Sequence, residues 1–304
     1  MREFALLKHV FEANASLPRK VLVPPGDDMA MVELDGKKLL AAVDQLVDGR
    51  HFRLESTPIE LIGRKAITRS LSDIAAMAGV PVATLVAATL PPEFGEAKAN
   101  ALFDAMRSTC DRYRCPLIGG DIAFHAGKAQ PLVCSVTVLA EPSGERAITR
   151  IGAKPGDIVS VSGALGGSLE PNGLGKHLTF EPRIDLAIEL ASHYRDRLHA
   201  MIDISDGLGR DASHIAQMSN VQIVLDADRI PCTPGCDWRR ALGDGEDYEL
   251  CFVVKPPFVE REQGTALHAV GEVRPRTNDD DPWVLVRDGE RLIAADEFGW
   301  QHES

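Results

Sequence analysis

Carboxylates repel one another at short range, and this chain repeatedly sets them beside glycine or serine, or at the end of an apolar run. The signatures are Gly26-Asp27-Asp28, Asp44, Ser72-Asp73, Gly119-Gly120-Asp121, Asp203-Ile204-Ser205-Asp206-Gly207 and Gly245-Glu246-Asp247. A fold that gathers them needs cations to offset the repulsion, and the oxygen-ligand cation that accompanies phosphate chemistry is Mg²⁺. The expectation is one convergent metal site in an enzyme that handles a magnesium nucleotide.

With 304 residues the chain is long enough for two domains or one large one, with a full core. Its formal charge of −12, without a basic run, argues against a surface made for nucleic acid or anionic lipid. No apolar stretch approaches the ~20 residues that span a bilayer, and Met1-Arg2-Glu3-Phe4 lacks the features of a secretory signal, so a cytoplasmic protein is expected. The six cysteines form no Cys-x-x-Cys pair and are expected as reduced thiols. Cys232 and Cys236 would make half a zinc site, but no second pair matches them, and no His-Glu-x-x-His occurs.

Helical and strand patterns alternate throughout, which gives an α/β or α+β enzyme. The clearest helix is expected from Thr57, with Pro58 in the first turn, Glu60 completing a capping box and one apolar face, until Gly79 and Pro81 end it. A buried strand over 82–90 and a second amphipathic helix over 93–112 follow, then a strand over 131–140. The polar turn segment Glu141-Pro142-Ser143-Gly144-Glu145 is the expected boundary between domains 1–142 and 143–304. Beyond it, strands are expected over 157–162, 201–204, 221–226, 249–254 and 283–287, and a helix over 208–218. The Gly-rich stretch from Gly163 to Gly175 reads as a loop over a nucleotide.

Walker-type and protein-kinase motifs are absent. Gly207-Leu208-Gly209-Arg210-Asp211-Ala212, with Asp226 and Asp228 downstream, has the form of a dinucleotide fingerprint. Asp203 and Asp206 would repel a pyrophosphate there unless metals intervened, so a metal site ranks above NAD. Taken singly, Asp206-Gly207 is also a helix cap, and Asp73, four residues after Arg69, a surface ion pair. Asp44 and Gly119-Gly120-Asp121 are expected at strand ends, the glycines letting backbone approach a ligand. Arg150 has a planar fork suited to phosphate, and an ion pair between the domains is the alternative.

Taken in order, these segments resemble the bacterial thiamine-monophosphate kinases, within the ATP-binding superfamily of aminoimidazole ribonucleotide synthetase, selenophosphate synthetase and a hydrogenase maturation factor. The resemblance spans nearly the whole chain. It rests on Gly26-Asp27-Asp28, Val43-Asp44-Gln45-Leu46-Val47-Asp48-Gly49-Arg50-His51-Phe52, Leu71-Ser72-Asp73-Ile74-Ala75-Ala76-Met77, Leu117-Ile118-Gly119-Gly120-Asp121, Gly152-Ala153-Lys154-Pro155-Gly156-Asp157, Ile202-Asp203-Ile204-Ser205-Asp206-Gly207-Leu208 and Gly245-Glu246-Asp247-Tyr248-Glu249-Leu250.

The resemblance implies a two-domain aminoimidazole ribonucleotide synthetase-like fold whose N-terminal sheet pairs in a homodimer, and transfer of the ATP γ-phosphoryl to thiamine monophosphate. It implies Asp28, Asp44, Asp73, Asp121, Asp203 and Asp206 as magnesium ligands and Gly120, Asp121, Arg150 and Ser205 as ATP contacts. Asp44, Asp121 and Arg150 would carry catalysis, and His51, Glu246 and Trp300 the thiamine-phosphate side. The chain departs from the family at Ala42-Val43, where Ser-Thr is usual, and at Ser70, Ile122 and Gly167, where Asn, Thr and Asp are usual. Its Gly-Gly-Glu-Asp segment reads Gly243-Asp244-Gly245-Glu246. Another small acceptor, or a nucleotide-binding dimer without turnover, are the alternatives.

Overall fold

A computed structural model describes residues 17–262, 264–296 and 298–299. The first sheet has six strands in the order β1-β2-β3-β6-β4-β5. They are β1 (Val21–Val23), β2 (Ala30–Leu34), β3 (Lys37–Val47), β4 (Gly79–Leu90), β5 (Leu117–Phe124) and β6 (Val133–Pro142). All neighbours are antiparallel except β4 and β5, which run parallel because helix α2 (Glu96–Arg112) crosses between them. Helix α1 (Ile59–Ala76) links β3 to β4.

The second sheet has seven strands in the order β15-β14-β9-β13-β7-β10-β8. These are β7 (Ile158–Val161), β8 (Leu198–Asp203), β9 (Val221–Asp226), β10 (Leu250–Val254), β13 (His268–Pro275), β14 (Val284–Asp288) and β15 (Arg291–Ala294). A short ribbon, β11 (Arg261–Glu262) and β12 (Thr265–Ala266), stands apart. Helices α3 (Ile184–Tyr194), α4 (Leu208–Ser219) and α5 (Trp238–Gly243) complete the second half.

The layers explain the sequence patterns. Ile62, Ile67, Leu71 and Ile74 of α1 join Val136 and Val138 of the first sheet, Ala187 and Leu190 of α3, and Met201 and Phe252 of the second sheet in one core. Helix α1 is thus held between two sheets, and its buried residues surround its axis, including Lys65, Thr68, Ser70 and Ser72, where one apolar face was expected. The opposite face of the second sheet packs Val159, Ile202 and Ile223 on Leu208, Ala212 and Ile215 of α4. All five residues of β10 are buried because both its faces are covered. Each fully buried Leu or Ile contributes about 1.5–3 kcal/mol, so α1 is the main fastening between the two sheets.

Several expectations need correction. The capping box does not form: α1 starts at Ile59 after Pro58 with no side-chain cap, and Thr57 Oγ1 instead accepts from the Arg53 amide at 3.4 Å. Strand β4 starts at Gly79 and accommodates Pro81 at a register shift between Pro81 and Ala83. Neither Asp44 nor Gly119-Gly120-Asp121 ends a strand, since β3 continues to Val47 and β5 to Phe124. A polar residue need not stop a strand when its face of the pleat offers it partners or solvent.

Candidate active site

Three elements converge where the sheets meet. The turn between β1 and β2 brings Asp27 and Asp28, α1 brings Ser72 and Asp73, and β8 ends on Asp203. Carboxylate oxygens of Asp28, Asp73 and Asp203 lie within 4.8 Å of one another. Arg150, from the segment joining the two sheets, clamps Asp28 with Nη2 at 2.7 Å and Nε at 3.2 Å. It also donates from Nη1 to the Gly26 carbonyl at 3.2 Å and from its amide to Asp27 at 3.1 Å. This guanidinium thus makes an ion pair between the two halves, as the sequence alternative for Arg150 had it. Ser72 Oγ donates to Asp203 at 2.6 Å.

One guanidinium does not balance these charges. Burial, and then the Asp28 charge, push the Asp203 carboxyl up to about 7, against the Ser72 hydrogen bond and Arg150. Asp27 is pushed up to about 7 by burial and by Asp28. Burial and the charges of Asp44, Asp203 and Asp28 hold the Asp73 carboxyl well above its ordinary range. The donor set is all carboxylate oxygen and short of positive charge, which fits a hard divalent cation such as Mg²⁺ and not zinc.

Asp44 stands at the rim. It pairs with Val136 on the helix-covered face of the first sheet, like Leu40 and Leu46, and accepts from Ser70 Oγ at 3.4 Å. Asp121 does not join: it pairs with Ala87, whose antiparallel partner is Ser135, so it faces the side of the sheet opposite Asp44 and is exposed. A Cβ on Gly120 would meet the Val86 carbonyl at 1.8 Å, so this glycine serves strand contact within the sheet.

Asp206 and Ser205 lie between β8 and α4. The Asp206 and Gly207 amides both donate to the Asp211 carboxylate at 3.1 Å, which caps the helix from within its first turn. Asp211 is buried, and burial followed by the Asp206 and Asp203 charges raises its carboxyl well above the usual range. The fingerprint-like glycines are packing devices: a Cβ on Gly207 would meet the Leu242 carbonyl at 2.5 Å, and one on Gly209 the Ala295 carbonyl at 2.5 Å. Both approaches are made by protein backbone, so close packing within the chain accounts for these glycines without a pyrophosphate.

A second group lies further along α1. The Lys65 ammonium, fully buried, donates to the Glu246 carboxylate at 2.7 and 2.9 Å and to the His51 carbonyl at 2.8 Å, and it lies 2.7 Å from His177 Nδ1. Burial would raise the Glu246 carboxyl, but the His177 hydrogen bond and the Lys65 charge outweigh it and hold it at about 2. Lys65 bears the burial and is lowered to about 8. His51 Nδ1 accepts from the Val47 amide at 2.9 Å, which leaves a neutral ring's proton on Nε2. His51, Arg50, Asp48, Asp44 and Arg69 line an open cavity of about 690 Å³. Trp300 lies outside the described residues.

The Gly-rich stretch is an irregular loop ending in a 3₁₀ turn at Lys176–Leu178, and it is anchored rather than loose. Asp247 accepts from Ser168 Oγ at 2.6 Å and the Gly166 amide at 3.0 Å, while Glu249 accepts from Arg183 at 2.7 Å and Lys176 at 3.1 Å. A Cβ on Gly167 would meet Cys236 Sγ at 2.8 Å, so an aspartate there would collide with this chain's Cys236. Lys65 and His177 carry no local signal in the sequence, and Asp211 stands there only as part of the fingerprint-like stretch; the importance of all three comes from tertiary burial.

The family described as AIR synthase related protein, N-terminal domain, matches residues 26–141. The thiamine-monophosphate kinase of Rhodopirellula baltica is 33% identical over 297 aligned residues, covering 90% of each chain. That of Mycobacterium tuberculosis is 34% identical, covering 98% of this chain and 91% of its own. Among solved structures, AaThiL complexed with AMPPCP and TMP superposes with a TM-score of 0.81 at 30% identity, over 99% of this chain and 97% of that one. The hydrogenase maturation protein HypE of E. coli, 18% identical with a TM-score of 0.70, shares the fold.

Proposed function

We propose a function from one premise: this chain belongs to the thiamine-monophosphate kinase family. It catalyses the ATP-dependent phosphorylation of thiamine monophosphate to thiamine diphosphate. The observation that carries this reading is the likeness along nearly the whole chain to kinases of that name, and the structural match to a relative holding an ATP analogue and TMP.

Transfer is direct and in line. The acceptor is a phosphate oxygen whose second pKa is near ~6, so at neutral pH it is already largely deprotonated and needs no general base. The barrier is repulsion between two anions, and the protein's work is to position them and offset charge. Asp28, Asp73 and Asp203 would hold Mg²⁺, with Asp44 at the rim and Asp206 as a further ligand; the ion, when bound, would neutralise phosphate charge. Arg150, Ser205 and Gly120 serve the ATP side. Arg150 has to share its fork between Asp28 and a nucleotide phosphate. His51 and Glu246 form the thiamine-phosphate side, together with Trp300.

Residues 1–142 and 143–304 act as two domains, the first carrying dimerisation. Ile118, Ile122 and Phe124 on edge strand β5, and Val43 on the uncovered sheet face, are exposed apolar side chains suited to a second copy. Asp121 lies on that same uncovered face, so its part in metal or ATP binding depends on the dimer. Among the described residues no helix is long and apolar enough to cross a membrane. The site of action is the cytoplasm, where ATP is made available and thiols stay reduced.

The test is thiamine diphosphate formation from thiamine monophosphate, ATP and Mg²⁺, beside a reaction given thiamine alone and an Asp73→Asn enzyme. Product that requires both the monophosphate and Asp73 supports the reading. Magnesium-dependent ATP binding without product overturns it.

A further inference from the structure

Lys65, Arg69 and Asp73 fall at i, i+4 and i+8 on α1 and so form one ridge of the helix. The ridge has a metal carboxylate at one end and the Lys65–Glu246 pair at the other, with Arg69 about 6 Å of helix rise from each. That midpoint is where a phosphoryl donor held by Asp73 and an acceptor held near Glu246 have to meet.

Arg69 is poorly satisfied for a guanidinium placed so deep. Nη1 donates to the Gln45 carbonyl at 2.9 Å, but Nη2 comes no nearer than 4.0 Å to Asp44, and Nε is buried with no hydrogen-bond partner among the described residues. A buried donor without a partner is costly and calls for an explanation. The side chain is 16% exposed, and it lines the 690 Å³ cavity together with Arg50 and His51. His51, through the Val47 amide on Nδ1, has its ring proton on Nε2. Arg69 therefore brings planar N–H donors to this cavity wall, a match for a phosphate monoester dianion.

We infer that Arg69 binds the phosphate of the acceptor, its guanidinium turning from the long Asp44 contact to the monophosphate and holding it beside the metal carboxylates. This rests on the proposed kinase activity. It makes Arg69 the residue by which the site distinguishes thiamine monophosphate from thiamine, since only the former carries the dianion.

Dissociation constants for thiamine monophosphate and for thiamine, with kcat and KM for both substrates, are to be measured on the wild type, Arg69→Gln and Arg69→Lys. Losing a charge-assisted phosphate contact should weaken thiamine monophosphate about tenfold or more. Thiamine affinity and the KM for ATP should stay within about twofold, which is the behaviour of separable contacts. Arg69→Lys, which keeps the charge without the fork, should fall between, and it carries the test if the glutamine variant does not fold. Equal weakening of thiamine and its monophosphate, or no weakening of either, overturns the inference and leaves Arg69 a structural counter-charge to Asp44. A wild type that binds thiamine monophosphate but makes no product overturns the kinase reading, and the same two affinities still decide the phosphate contact.

Discussion

The Lys65 ammonium sits 2.7 Å from the Glu246 carboxylate across 181 residues of sequence, joining the helix between the sheets to the loop ahead of β10. Removing one partner of such a pair strands the other charge in a low-dielectric site, which costs about 3–5 kcal/mol. Lys65→Met and Glu246→Gln should each lower stability in chemical denaturation, Lys65→Met the more. The double variant should lose less than the sum, because neither charge is then left alone. Additive losses would mean that the contact is not a coupled pair.

The same pair sets a pH dependence. Glu246 is held at about 2 against an ordinary 4.5, so the unfolded chain takes up its proton first as pH falls. Its contribution, on the order of 3 kcal/mol, is complete above pH 4.5 and is lost as pH falls toward 2. Lys65 gives a slope of the same sign in a higher window. Its folded value of about 8 lies below 10.5, so the unfolded chain holds more protons between these values, and stability from this group rises across that window. Melting temperature against pH should show the acid loss in wild type and its absence in Glu246→Gln, and the alkaline gain should vanish in Lys65→Met.

What the sequence disclosed, and what it hid, follows from where the partners lie. Strand β9 coincides with its expected range because Asn220 in the left-handed conformation caps α4 just before it and Asp226 closes it. Asp28, Asp73 and Asp203 were legible as carboxylates beside Gly or Ser in a strand and helix frame. Helix α3 went unread because it has no side-chain cap at Arg183, and β13 because Gly271, Glu272 and Pro275 look unlike a strand until β7 and β9 flank it. Lys65 on a helix reads as a solvated lysine. Only the distant segments that carry His51, His177 and Glu246, folded onto α1, make it a paired buried cation, and no local pattern carries that information.

Gly209 separates packing from ligand binding in the fingerprint-like stretch. An added methyl would sit 2.5 Å from the Ala295 carbonyl and 2.9 Å from that of Phe298, neither of which can move without disturbing the chain after β15. Gly209→Ala should therefore destabilise by about 1–3 kcal/mol, the ordinary penalty of overpacking. Binding of NAD should be absent from the wild type and unchanged in the variant, as followed by titration calorimetry beside thermal melts. Saturable NAD binding lost in the alanine variant would restore the dinucleotide reading.

Asp73 places stability and activity in opposition. Its carboxyl is pushed well up by burial and by Asp44, Asp203 and Asp28, so in metal-free protein it is a source of repulsion. Asp73→Asn keeps the shape, removes the charge, and should raise the melting temperature in chelator. Added Mg²⁺ stabilises whatever binds it in the native state, so wild type should gain melting temperature with magnesium and the variant should gain less. Thiamine diphosphate formation should fall about a hundredfold or more, as when a charge-stabilising group is lost. A variant that melts lower without metal and keeps the full magnesium gain would show that Asp73 is a structural carboxylate and that the cation is held elsewhere.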